Sequence, residues 1–167
     1  MTITIRRLGA GDVETITAAF TAVGWPGKDA ALYARYLREQ ESGERLVLLA
    51  GDDFAGYLTV DFDSGYPPFR AAGVPEITDL NVLPQRRRRG IATALMDAAE
   101  AEIARRSATA GIGVGLYADY GPAHLMYLAR GYRPDGRGVV YRGEQVEPGA
   151  TVRVDDDLTL MMTRRVA

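Results

Sequence analysis

The hydrophobic pattern between Glu76 and Arg106 predicts a strand, a turn and an amphipathic helix in direct succession. Four arginines and Gly90 form the turn, and the apolar positions after it recur on one face of an α-helix. A strand that enters a helix through such a turn directs several unpaired backbone N–H groups, and the positive end of the helix dipole, toward one place. Gly90 and Ala92 lack bulky side chains and would let an anion approach the backbone. This stretch therefore predicts a site for an anion, typically a phosphate.

The rest of the chain alternates between segments with the period of strands and segments with the period of helices. The predicted strands are 2–7, 45–50, 54–62, 76–83, 112–117, 139–142 and 158–163. The predicted helices start at Asp12 and Asp29, each as the N-cap, after Gly90, and at Gly121, where the apolar set is Leu125, Met126 and Leu128. A long loop is expected over residues 65–75. No repeat or linker interrupts the pattern, so we expect a mixed α+β fold in one domain over residues 1–167.

Composition excludes several classes of site. The chain has no cysteine, which rules out disulfides, thiolate metal sites and a cysteine nucleophile. It has one histidine, His124, so neither a histidine-based metal site nor a Ser-His-Asp triad is expected. A net charge of −2 provides no general attraction to nucleic acid or to an anionic membrane. With no apolar run of membrane-spanning length and no signal-peptide pattern, a cytoplasmic location is expected.

Two segments resemble motifs of the GNAT superfamily of acetyl-CoA-dependent N-acyltransferases. Arg87-Arg88-Arg89-Gly90-Ile91-Ala92 resembles the family's Gln/Arg-x-x-Gly-x-Gly/Ala signature, and it comes after a Glu-Ile-x-x-Leu-x-Val strand. Residues 123–132 resemble its Ala-x-x-Leu-Tyr-x-x-x-Gly-Phe segment, with Met126 for leucine and Tyr132 for phenylalanine. The resemblance covers about residues 2–165 and implies the family's fold, a mixed, mostly antiparallel, twisted sheet flanked by helices on both faces.

The resemblance also implies how acetyl-CoA would bind. In the family, the backbone of the central strand pairs with the pantetheine arm, and the next turn holds the pyrophosphate. These roles would fall to Leu80, Asn81, Val82 and Leu83 for the arm, and to Arg87, Arg88, Arg89, Gly90, Ile91, Ala92 and Thr93 for the phosphates. Arg88 and Ala92 depart from the family by replacing glycines. Arg88 should therefore either adopt an ordinary backbone conformation or be mildly strained at a positive φ. Tyr120, a further cofactor residue, stands where the family commonly has asparagine.

The catalytic residues implied by the resemblance are Tyr127, Glu76 and Asp79. Tyr127 occupies the position of a tyrosine that donates a proton to the departing thiolate. Glu76 stands where some members carry a carboxylate that accepts the amine proton, often through water. Regular alternation places Glu76 and Asp79 on opposite faces of the strand, but a bulge, which the family has here, shifts facing. Asp79 therefore stays a second candidate for the base.

The expected reaction is direct attack of a primary amine, on a small molecule or a peptide, upon acetyl-CoA in a ternary complex without a metal. Segments that line the acceptor groove in the family would here contribute Trp25, Tyr33, Tyr66 and Phe69. The main alternative is an inactive acyl-CoA-binding sensor domain. A nucleic-acid module built on the arginines is disfavoured by the net charge. The oligomeric state stays open: dimers are common among relatives, and the last strand pair could pair across subunits.

Overall fold

The computed structural model describes residues 2–167, which form eight strands, five α-helices and two 3₁₀ turns. The strands are β1 (Ile5–Arg7), β2 (Arg45–Ala50), β3 (Gly56–Asp61), β4 (Glu76–Val82), β5 (Thr109–Gly115), β6 (Arg133–Tyr141), β7 (Glu144–Gln145) and β8 (Leu158–Arg165). The helices are α1 (Asp12–Val23), α2 (Ala30–Ser42), α3 (Pro67–Ala72), α4 (Ile91–Ala104) and α5 (Gly121–Ala129), and the 3₁₀ turns are Pro84–Arg86 and Ala118–Tyr120. Backbone contacts divide the chain into two compact units.

Of the described residues, the first unit comprises 2–62 together with Ile77–Glu102. Its strands lie in the order β1-β2-β3-β4, and β2 pairs antiparallel with both β1 and β3. Helices α1 and α2 cover β2 and β3 with an aromatic core of Phe20, Tyr33, Tyr36 and Tyr57. Asp29 caps α2 as predicted, because its carboxylate accepts the Leu32 N–H at 2.9 Å. Most of β4 and most of α4 thus belong to a unit with its own hydrophobic core.

The second unit comprises Asp63–Glu76 and Ile103–Ala167. Its strands lie in the order β5-β8-β6-β7, with antiparallel pairing throughout. The register of β6 on β8 shifts between Pro134 and Val139, where two glycines adopt positive φ. Tyr66 and Phe69 of the α3 segment pack with Val140 and Met161 into a small core. The predicted α+β class with mostly antiparallel strands is confirmed.

Two predicted local features are wrong. The loop expected over 65–75 contains helix α3, whose starting prolines and closing Gly73, at φ +65°, are ordinary helix-boundary signals. Asp12 is not the N-cap of α1. The cap position belongs to Gly11, and the Asp12 carboxylate instead binds the Arg6 guanidinium at 2.7 Å and accepts the Gly9 N–H. A charged partner outside the helix competes successfully for this side chain.

The apolar set predicted for the last helix is also wrong. Leu125 and Leu128 are exposed at 70% and 46%, whereas Tyr127 between them is buried at 6%. The helix spans nine residues, so its buried face is narrow and one large aromatic ring fills it. Tyr127 is therefore the residue that α5 turns toward the interior of its unit.

Candidate functional site

The arginine turn joins β4 to α4 and is exposed. After the 3₁₀ turn Pro84–Arg86, the backbone passes through positive φ at Arg88 (+59°) and Gly90 (+79°) before α4 begins. The left-handed conformation at a non-glycine residue costs about 1–2 kcal/mol, so of the two alternatives for Arg88 the structure has the strained one. The first carbonyl of the helix ladder, that of Gly90, accepts the Ala94 N–H at 3.0 Å. The three N–H groups before it, those of 91–93, thus have no carbonyl partner within the helix.

Trp25 lies against this turn. The Arg87 guanidinium carbon is 5.9 Å from the centre of the Trp25 ring, and that ring stacks on Phe20 at 5.4 Å between centroids. The contact is a cation–π pair between the turn and the aromatic core of the first unit. Trp25 therefore lies beside the predicted phosphate site.

Strand β4 departs from regular geometry at Asp79, whose φ is +56°. A left-handed residue inside a strand breaks the pleat and alters the facing of the residues after it. Just before it, the Thr78 hydroxyl lies 2.6 Å from that of Thr59 on β3. Just after it, Asn81 approaches β3 so closely that a Cβ on Gly56 would lie 2.5 Å from its carbonyl oxygen. The strand is held on β3 on both sides of the kinked residue.

The Asp79 carboxylate is the centre of a hydrogen-bonded cluster. Its Oδ1 accepts from Lys28 Nζ and, at 2.8 Å, from the Asn81 amide; its Oδ2 accepts from the Tyr57 hydroxyl and, at 3.1 Å, from that of Tyr36. Burial would raise the pKa of this carboxyl, but the Lys28 charge and the hydrogen bonds outweigh burial and hold the pKa below its ordinary value. Asp79 is thus an ionised group with four donors, which leaves little capacity to accept a proton from an amine.

Glu76, the other predicted base, is held by a serine. The Ser64 hydroxyl donates to Glu76 Oε1 at 2.5 Å, and the Tyr66 N–H donates to the Ser64 oxygen at 3.0 Å. Ser64 is 1% exposed, whereas Glu76 is only half-buried. The buried Ser64 hydroxyl therefore orients the Glu76 carboxylate.

Three of the four aromatic residues predicted for the acceptor groove lie in the cores of their units. Tyr33 is fully buried, and its hydroxyl is 3.4 Å from that of Tyr57. Tyr66 and Phe69 are buried in the second unit with a T-shaped ring contact at 4.8 Å, and the Tyr66 hydroxyl donates to Asp135 at 2.7 Å. Phe69 also lies over Gly111 of β5, where any Cβ would meet its ring at 2.4 Å. These positions give the three rings packing roles.

Tyr127 combines a buried ring with an unused hydroxyl. The ring is 6% exposed and packs against Tyr132 at 6.1 Å between centroids. Within residues 2–167 its hydroxyl has no hydrogen-bond partner, and no buried polar side-chain atom there is left unsatisfied. The oxygen is therefore accessible to a bound molecule. Burial raises the pKa of Tyr127 to about 12, so the phenol stays protonated at neutral pH.

Tyr120 is fixed by a carboxylate that the sequence did not single out. Its ring occupies the space over Gly115, where a Cβ would lie 2.4 Å away. The hydroxyls of Tyr120, at 2.9 Å, and of Tyr117 both donate to Asp156 Oδ1. Asp156, Ser64 and Lys28 all lie outside any motif. Of these, only Lys28 carried a signal in the sequence, because it is the chain's one lysine.

Neither a metal centre nor a membrane span is found in the described part of the chain. Within residues 2–167 no group of three or more histidine, aspartate or glutamate side chains is arranged to hold a metal ion. None of the helices there combines the length and the apolar character that crossing a bilayer requires.

Comparison with known proteins adds a family match and a shared fold. The model of the acetyltransferase (GNAT) family matches residues 12–132. A GNAT-family protein from Desulfovibrio desulfuricans gives a TM-score of 0.73 at 16% identity, with 99% of this chain and 100% of that chain covered. A Salmonella typhimurium protein solved with its cofactor acetyl-CoA gives 0.69 at 18% identity over 100% and 95% of the two chains. The ribosomal-protein-S18-alanine N-acetyltransferase from Escherichia coli gives 0.68 at 14% identity over 99% and 95%.

At these identities the structural likeness shows the fold alone. No match was found among curated proteins. The family match, which covers well over half of the chain, agrees with the motifs around Gly90 and Tyr127.

Proposed function

Because the chain belongs to the GNAT acetyltransferase family, we propose that it transfers the acetyl group of acetyl-CoA to a primary amine of a small molecule or peptide. The amine would attack the thioester directly in a ternary complex, without an acyl-enzyme. The absence of cysteine favours this route over one through a cysteine thioester.

The observation that carries the proposal is the hydroxyl of Tyr127. Its oxygen is accessible at the edge of an otherwise buried ring, so it can contact a bound molecule. Here the ring is buried and the hydroxyl has no partner within residues 2–167. A protonated phenol in this state can donate to the sulfur as the C–S bond breaks.

The proton of the attacking amine needs an acceptor, for which we propose Glu76. An ammonium group cannot attack a thioester, so a proton must leave before or during formation of the N–C bond. The position of Glu76 in the family pattern favours it, and its half-buried carboxylate is oriented by Ser64. Asp79 is disfavoured because its oxygens accept four hydrogen bonds. In the balanced reaction the ammonium gives one proton to Glu76 or its water, and the resulting neutral amine attacks the thioester carbon. Tyr127 protonates the sulfur as the C–S bond breaks, and the second proton, which the nitrogen loses as the amide forms, restores the phenol of Tyr127.

The arginine turn supports acetyl-CoA as the donor. The turn is exposed, Arg88 and Gly90 adopt left-handed conformations, and the N–H groups at the start of α4 lack carbonyl partners in the helix. Such a loop with arginine side chains suits a pyrophosphate. We assign the phosphates to 87–93 and the pantetheine arm to the backbone of 80–83.

Calorimetric titration with acetyl-CoA and CoA, followed by a thiol-release assay across a panel of amines, tests the proposal. Binding accompanied by thiol release with one class of amine supports it and identifies the acceptor class. Binding without release from a panel that includes peptide N-termini would favour the sensor alternative. Failure to bind either form of the coenzyme would overturn the proposal.

Gly90→Val is expected to weaken binding of acetyl-CoA about tenfold or more. Valine resists the φ of +79° found at this position, and its side chain would cover the backbone that the phosphates approach. Gly43→Val is the matched control, because Gly43 has a similar φ of +85°, a Cβ added there would meet nothing within 4 Å, and it lies at the end of α2. Equal affinity in the two variants would contradict the placement of the phosphates.

Glu76→Gln is expected to lower kcat/KM about a hundredfold near neutral pH. Glutamine can still accept the Ser64 hydroxyl, so the side chain should keep its place while losing its basicity. The deficit should shrink as the pH rises toward the pKa of the acceptor amine, because an amine that is already neutral needs no base before it attacks. A deficit that does not change with pH in a steady-state profile would argue against Glu76 as the proton acceptor.

A further inference from the structure

Lys28 is the only lysine among the 20 lysine and arginine residues of the chain. It lies in the connection between α1 and α2, and its side chain is 17% exposed. Lysine ends in a compact ammonium with three donors, whereas arginine ends in a broad planar fork. A chain that uses arginine at every other basic position therefore has its single ammonium at an enclosed site.

The ammonium joins two groups of the first unit. Nζ donates to Asp79 Oδ1 and, at 3.0 Å, to the hydroxyl of the fully buried Tyr57, and it lies 5.5 Å from the centre of the Tyr57 ring. The Tyr57 hydroxyl in turn donates to the other carboxylate oxygen of Asp79. Lys28 and Tyr57 together thus bind both oxygens of one carboxylate.

That carboxylate belongs to the residue at which β4 is kinked. The backbone before Asp79 is tied to β3 through the hydroxyls of Thr78 and Thr59, and the backbone after it lies close to Gly56 of β3. Between these ties, Asp79 has φ +56°, which non-glycine residues adopt only where their surroundings require it. The surroundings here are the groups that donate hydrogen bonds to the Asp79 carboxylate, and Lys28 is the charged donor among them.

We propose that Lys28 is a positioning residue, which holds the Asp79 carboxylate and thereby fixes the left-handed kink that sets the backbone direction of 80–83. The role of this backbone in receiving acetyl-CoA rests on the proposed function. The kink at Asp79 and its dependence on Lys28 are independent of the proposed function. In this role the residue acts through Asp79.

Two double variants separate the conformation of residue 79 from its charge. Lys28→Met with Asp79→Gly removes both charges and supplies a residue that adopts positive φ freely, and Lys28→Met with Asp79→Ala supplies one that resists it. We expect the glycine variant to bind acetyl-CoA within about threefold of the wild type and the alanine variant at least about tenfold more weakly. At saturating acetyl-CoA the glycine variant should retain kcat, so that any loss falls on KM.

Equal affinity in the two variants overturns the inference, because the kink would then not matter. Loss of binding in both folded variants also overturns it, because the charges themselves would then be required. If the wild type does not bind acetyl-CoA, the proposed function fails. The unfolding temperatures of the two variants then test whether the left-handed kink at residue 79 matters to the fold. A Tm of the glycine variant a few degrees above that of the alanine variant supports the inference, and equal Tm values overturn it.

A measurement on the wild type covers the case in which a variant does not fold. Acetic anhydride modifies amines, and Lys28 is the only lysine, so mass spectrometry can follow its modification separately from that of the N-terminal amine. We expect acetyl-CoA binding to be lost at the rate at which Lys28 is modified. Full binding after complete modification of Lys28 overturns the inference.

Discussion

Replacing Tyr127 with phenylalanine is expected to lower kcat about a thousandfold, with little change in the dissociation constant of acetyl-CoA. The ring packs in its unit through carbon atoms, and phenylalanine keeps them. Only the hydroxyl is lost, and it has no partner within residues 2–167, so no internal hydrogen bond is broken. Single-turnover thiol release measures the chemical step, and calorimetry measures the binding.

Tyr132→Phe is the matched control for this prediction. Tyr132 is buried at 1%, packs against Tyr127 and stands where the family pattern has phenylalanine, so its variant should keep kcat close to the wild type. Equal losses of kcat and affinity in Tyr127→Phe would instead indicate a packing role. Because burial raises the pKa of Tyr127 to about 12, its ionisation should produce no alkaline fall in kcat between pH 7 and about 10.

The order of elements and the arginine turn could be read from the sequence because both are local signals. Helix periodicity after Gly90, the glycines that end α1 and α2, and the cap at Asp29 depend on neighbours within a few residues. The structure has these features where the pattern placed them. Helix α3 had comparable signals in its prolines and Gly73, but six residues are too few for a periodicity to be recognised.

The surroundings of the candidate site could not be read in the same way. Alternation along β4 predicts opposite facings for Glu76 and Asp79 but not the positive φ at Asp79, which depends on donors far away in the chain. Tyr36 and Tyr57 are 43 and 22 residues from it. Likewise Ser64 and Asp156 became visible as partners of Glu76 and Tyr120 only through the fold. Motifs indicated the chemistry, and long-range packing decided which groups remain available for it.

Lys28→Met is expected to reduce the free energy of unfolding by about 3 kcal/mol, and roughly 3–5 kcal/mol is the usual range when one partner of a buried ion pair is removed. The Asp79 carboxylate, 19% exposed, would keep its neutral donors but lose its counter-charge. For a chain of this length such a loss lowers Tm by roughly 6–12 °C, which thermal and urea unfolding can measure. Lys28→Met with Asp79→Asn is the control, because removing both charges should restore much of the loss.

The dependence of this loss on pH identifies its cause. The folded-state pKa of Asp79 lies below its ordinary value, so the ion pair contributes its stability above about pH 4, and the contribution disappears as the pH falls through the folded pKa. In Lys28→Met the carboxyl has lost the charge that lowers its pKa, so it takes up a proton at a higher pH than in the wild type. The two unfolding free energies should therefore converge below about pH 4 and stay apart between about pH 5 and 8. A difference that stays constant down to about pH 3 would mean that Lys28 stabilises the unit through the packing of its methylene chain and not through its charge on Asp79.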